Sequence, residues 1–109
     1  MSSNLDLIAI LSPKAGKVDR VIELLQQVAI YVEDHEPQTL RYEIVRQINQ
    51  KSGGEEVILL ESYKDKAALK AHGGSDTFRR FNGVLVEEDL MAKPMQLMFV
   101  KPAGGFSRL

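Results

Sequence analysis

His72 stands in "AHGGSDTFRRF" (71–81), between a short apolar-periodic segment and a glycine pair. Its imidazole titrates close to neutral pH, which suits it to take up and return a proton. Upstream, in "EVILLESY" (56–63), Glu61 and Tyr63 alternate with Ser62. On an extended strand they therefore share one face with Val57 and Leu59. A carboxyl on an apolar face is costly unless it is paired. Glu61 either orients His72 or contacts a substrate, or it has a structural partner in an Arg, a Lys or backbone N–H groups. His72 has two readings as well: a base at a pocket, or a helix-end histidine packed on a sheet and bonded to a carbonyl. Tyr42 lies on the apolar face of "TLRYEIVRQI" (39–48) and can join the same cavity. An apolar cavity lined by Leu, Met and Phe side chains, with a few convergent polar groups, is what a small aromatic ligand needs. Phe78 and Phe81 are the phenylalanines placed to line it, and both also suit the core.

Other chemistry is absent or weaker. His35 sits in "EDHEP", where adjacent residues point in different directions and no i, i+4 ligand pair exists, so a metal site is not indicated. Its expected place is a solvated helix end or a pocket rim. Arg79 and Arg80, with Lys70 nearby, either draw in an anionic substrate or form a solvated face. "KSGGEE" lacks phosphate-loop spacing and reads as a hairpin turn centred on Gly53–Gly54. No nucleotide-binding glycine pattern is present, so no nucleotide cofactor is indicated. The chain has no Cys, which excludes disulfides, thiolate metal sites and a Cys nucleophile.

Composition bounds the rest. The 109 residues suffice for one core, and we treat 1–109 as one domain with a core over 5–101 and a Gly-rich tail over 102–109. The 14 basic and 15 acidic residues are well mixed, so the basic stripe that nucleic acid requires is missing. The apolar run Leu7–Leu11 is too short for a signal peptide, and no run approaches membrane-spanning length. A cytoplasmic protein is expected. The terminal Ser107-Arg108-Leu109 is close to the Ser-Lys-Leu address, which in a eukaryotic host would direct the chain to peroxisomes.

The elements that must position these residues follow from periodicity. "LDLIAIL" (5–11) alternates as a strand with apolar residues on both faces. Val18, Val21, Ile22, Leu25, Val28, Ala29 and Val32 make a helical stripe over 17–34, and Pro37 prevents its continuation. Strands follow over 39–48 and 56–63. Asp65 caps a short helix that Gly73–Gly74 ends, and Ser75 caps a second that Gly83 weakens or breaks in two and Pro94 closes off. "MQLMFVK" (95–101) is the last strand. The order β-α-β-β-α-β predicts an α+β, ferredoxin-like split βαβ sheet, antiparallel, with helices on one face. Helices cover only one face, yet three strands are apolar on both. The expected solution is a homodimer with stacked sheets, in which the last strand and tail reach across to the partner.

Three segments carry a family resemblance: "SPKAGKVDRVIELLQQV" (12–28), "EPQTLRYEIVR" (36–46) and "ESYKDKAALKAHGGSDTFRRF" (61–81). They resemble the antibiotic biosynthesis monooxygenase family, small dimeric α/β-barrel proteins that include quinol monooxygenases. The second resembles the family's E-P-G-x-x-x-Y segment, with Gln38 in place of Gly. The third, the most specific, resembles its E-x-[WY]-x-[DS]-x-x-A-[LF]-x-x-H-x-x-[ST]-x-x-[FL] signature. The resemblance implies a monooxygenase acting on a quinol or polyphenol with no metal or flavin cofactor, because the substrate itself supplies electrons to dioxygen. It implies a base, for which His72 is the candidate, and a group that holds an oxygen, for which Tyr42, Tyr63 and Arg41 are candidates. The family also includes isomerases, so proton transfer on a small oxygenated metabolite by His72 and Glu61 is the alternative, followed by a non-catalytic ligand-binding dimer. The haem-degrading relatives use a pocket Trp, and this chain has none.

Overall fold

Alternation along the strands decides the layers. The computed structural model describes residues 4–49 and 54–109. The order is β1 (Leu5–Pro13), α1 (Val18–His35), β2 (Thr39–Arg46), β3 (Val57–Tyr63), α2 (Lys66–Gly73), α3 (Asp76–Glu87) and β4 (Met91–Val100). The sheet order is β2-β3-β1-β4. β1 is antiparallel to β3 and β4, and β3 is antiparallel to β2. β1 and β2 therefore run parallel across the crossover helix α1. This is the expected ferredoxin-like α+β fold.

Register sorts the side chains. Leu7 pairs with Glu61, Ala9 with Leu59 and Leu11 with Val57, and all six are buried on the helix side. Ile8 pairs with Leu60 and Ile10 with Ile58 on the opposite side, where they stay partly exposed. α1 buries Val18, Val21, Leu24, Leu25, Val28 and Val32. Leu24 takes a place in the stripe, while Ile22 and Ala29 sit at its half-buried margin.

Boundaries differ from expectation where tertiary pairing overrides local signals. Pro94 does not close the helical region. It lies inside β4, which starts at Met91, at a bulge between the pairs Ile10–Gln96 and Ser12–Lys93. β4 is an edge strand, so a residue without an N–H is tolerated there. Gly83 does not break α3, whose buried Phe81 and Leu85 hold it to the core. α3 ends instead at a Schellman motif: Leu90 donates its N–H to the Leu85 carbonyl, Asp89 donates to Val86, and Asp89 has φ 52°. β2 stops at Arg46, short of the exposed Ile48. Gly53, in the expected hairpin turn, lies outside the described residues. No helix among the described residues is long and apolar enough to cross a membrane.

Candidate active site

The end of the sheet where β2 and β3 meet α2 gathers the polar side chains. Tyr42 lies opposite Glu61 across the β2–β3 ladder, and Tyr63 follows Glu61 on the same face. α2 lies over them because of its caps. The Asp65 side chain accepts from the Ala68 N–H at 2.9 Å and starts α2. Ser75 then serves both helices. Its hydroxyl donates to the His72 carbonyl at 2.8 Å and accepts from the Phe78 N–H at 3.1 Å. One hydroxyl thus ties the last turn of α2 to the first turn of α3, which sets the His72 and Phe78 rings 5.2 Å apart. A Cβ at Gly74 would sit tightly against the Lys70 carbonyl oxygen, at 3.3 Å.

His72 is 3% exposed. Its Nδ1 lies 2.9 Å from Oε1 of Glu36, the residue that ends α1. The same oxygen accepts from the Thr39 hydroxyl at 2.9 Å. A carboxylate accepts, so Nδ1 carries a hydrogen, and in the neutral form of the ring the lone pair is at Nε2. Nε2 is buried and meets no hydrogen-bond partner among the described residues. Leaving such a group unpaired costs about 1–3 kcal/mol. Three rings surround the imidazole: Tyr42 at 5.3 Å, Tyr63 at 5.6 Å and Phe78 at 5.2 Å between centroids. Phe81 stands behind Phe78, 6.2 Å away, in the core.

Burial shapes the electrostatics. It pushes the Glu61 carboxyl above the usual range, although the Tyr63 hydroxyl and His72 pull the other way. It also raises both tyrosines, with the negative charge of Glu61 adding to the effect. Both phenols therefore keep their protons at physiological pH and have a hydrogen to donate. Tyr63 donates to Oε1 of Glu61. The Tyr42 hydroxyl has no hydrogen bond among the described residues and is the donor left free beside His72.

The predicted residues separate into two groups. His72, Tyr42, Tyr63, Glu61 and Phe78 come together. Glu61 bonds to Tyr63 rather than to His72, an Arg, a Lys or the backbone. Arg41 pairs with Glu43 and stands opposite Ser62, on the side of the sheet away from the helices. His35 is exposed; it stacks on Tyr31 at 4.6 Å and faces the Tyr31 carbonyl through Nδ1 at 3.2 Å. The residue that sequence reasoning missed is Glu36. Its signal was its place at a helix end, directly before Pro37 and three residues before Thr39, in a segment where His35 drew the notice. Among the described residues no group of three or more His, Asp or Glu side chains is placed to hold a metal.

The model of the family described as antibiotic biosynthesis monooxygenase matches residues 7–84, which span every member of this cluster. The chain belongs to that family. Among curated proteins nothing matches the sequence. Solved structures bear out an antibiotic biosynthesis monooxygenase fold. A candidate monooxygenase of this name from Caulobacter crescentus is 23% identical, with a TM-score of 0.78 over 93% of this chain and 91% of that one. Another, from Nitrosomonas europaea, is 19% identical, with a TM-score of 0.81 over 94% and 92%. A Mycobacterium tuberculosis protein is 22% identical, with a TM-score of 0.79 over 96% and 100%. At these identities the likeness is one of fold.

Proposed function

We propose that the chain is a homodimeric, cofactor-independent monooxygenase that oxidises a small quinol or polyphenol with dioxygen. The observation that carries this reading is the bare Nε2 of His72, buried among Tyr42, Tyr63 and Phe78 and held in one tautomer by Glu36. A neutral imidazole whose Nδ1 donates to a carboxylate is an oriented general base at Nε2. The rings of Tyr42, Tyr63 and Phe78 around the imidazole keep it out of water. The free Tyr42 hydroxyl is a donor for the oxygen on which negative charge develops.

In this reading Nε2 takes the proton of a substrate hydroxyl. The resulting anion gives one electron to dioxygen, and the two radicals join at a ring carbon. Cleavage of the O–O bond leaves one oxygen on the ring, while the other departs as water. Hydroquinone plus dioxygen then gives hydroxyquinone plus water, with all four electrons drawn from the substrate. Dimerisation is supported by the uncovered sheet face, where Ile8, Ile10, Ile58 and Leu60 lie side by side.

Oxygen uptake with a panel of substituted hydroquinones, in the presence of a metal chelator and without added flavin, tests the activity. Uptake above the autoxidation rate is expected, falling about 10²–10⁴-fold in His72→Ala, the usual contribution of a positioned base. Glu36→Gln is expected to lower kcat more than it raises KM. No uptake above background across the panel would reject the reading. Turnover of an oxygenated substrate under strict anaerobiosis would assign proton transfer instead.

A further inference from the structure

A second candidate site lies on the outer face of the helix layer. α1 and α3 diverge to leave a cleft of about 220 Å³. Its floor is apolar, formed by Val28, Phe81 and Val84, and its rim carries Tyr31, Thr77 and Arg80. This volume lies below the roughly 300–1,000 Å³ of pockets for drug-sized ligands, so it suits one or two rings.

Arg80 makes this cleft different from an ordinary surface groove. Arg20, Arg41, Arg46 and Arg79 each pair with at least one carboxylate. Arg108 lies over the ring of Phe106. Among the described residues Arg80 alone of the arginines has neither an acidic partner nor an aromatic one. Its neighbour Arg79 is held away from the cleft by Asp76 and by the Gly74 carbonyl. A guanidinium fork matches a carboxylate in two parallel hydrogen bonds. On the opposite rim, Tyr31 is braced by the stacked ring of His35 and presents a rigid aromatic edge.

We propose that the α1–α3 cleft binds a small aromatic carboxylate, with the rings on Val28, Phe81 and Val84 and the carboxylate on Arg80. The site is separate from the His72 cluster and stands whether or not that cluster is catalytic. Phe81 is the wall between them, since it faces the cleft and lies against Phe78. The cleft is also on the helix side, so a dimer through the open sheet face leaves it accessible.

The test is a titration of the full chain with 2-naphthoate at low ionic strength, followed by amide chemical shifts, with 2-naphthalenemethanol as the uncharged control. Saturable binding is expected, with the largest shifts at Thr77, Arg80 and Phe81. Arg80→Gln is expected to weaken 2-naphthoate about tenfold, the worth of a hydrogen bond to a charged group, and to leave the alcohol unchanged. Arg79→Gln, one position away and already paired, is expected to change neither. His72→Ala is expected to retain binding. The proposal is overturned if 2-naphthoate does not saturate, if Arg80→Gln binds it as the parent does, or if His72→Ala abolishes binding.

Discussion

At the scale of single residues, the half-buried Glu36 and the buried Glu61 do different work although both lie near His72. Glu36 receives two hydrogen bonds on one oxygen and sets the tautomer of the imidazole. Glu61 receives the Tyr63 hydroxyl and pays for its burial with a raised pKa. The sign of its effect on stability follows from proton uptake. Above the ordinary value of 4.5 the unfolded chain releases the Glu61 proton before the folded chain does. Within that window the folded state binds more protons, so stability falls as pH rises through the folded pKa and then levels off. Glu61→Gln keeps an acceptor for Tyr63 and removes the charge. The variant is expected to melt higher than the parent at pH 7, with the difference shrinking towards pH 4, as thermal unfolding followed by circular dichroism across that range can show. An equal difference at both ends would mean that burial of the charge is not the cause.

Between elements, the decisive contact is the Ser75 hydroxyl, because it joins α2 to α3 and so places a base beside an aromatic wall. Ser75→Ala removes an N-cap, worth about 1 kcal/mol of stability. It also removes the side-chain hydrogen bond on the His72 carbonyl, leaving only the backbone ones from Gly74 and Ser75, so the imidazole line widths in a proton spectrum are expected to broaden while Asp65→Ala, at the far end of α2, costs similar stability without that change. Matching spectra for the two variants would reduce Ser75 to an ordinary cap. This joint was legible beforehand: Asp65 and Ser75 carry local cap signals, and the 3.6-residue and two-residue periods laid out α1 and the strands. Pro94 and Gly83 were misleading for one reason. Each is judged by its own backbone preference, whereas an edge-strand bulge and a buried helix face decide its place. In the site, Tyr42, Glu61 and Tyr63 could be grouped because a strand's period fixes their face. The partnership of Glu36 with His72 could not, since it depends on how the end of α1 packs against α2, and no local period encodes that.

For the whole molecule, the open face of the sheet and the tail are parts of one problem. Ile8, Ile10, Ile58 and Leu60 lie on the two central strands with no helix over them. The chain beyond β4 is exposed throughout, with Phe106 80% exposed. The radius of gyration of 14.5 Å exceeds the roughly 13 Å of a compact chain of this length, as a projecting tail requires. A second copy stacked on the sheet covers the isoleucines and gives the tail a surface to lie on, which is the arrangement our proposed function assumes. Ile10→Lys tests it at the centre of the face, between Ile58 and Gln96, where a lone chain can turn the ammonium into water but a stacked pair must bury it. The parent is expected to run as a dimer in light scattering and Ile10→Lys as a folded monomer with an unchanged far-ultraviolet spectrum. Removal of residues 102–109 is expected to weaken the dimer by less than the Lys substitution, because the Lys places a charge at the centre of the face that association buries. A monomeric parent would leave the apolar face without a second copy to cover it and would remove the dimer from the proposed function, while the His72 cluster, built within one chain, would stand unchanged.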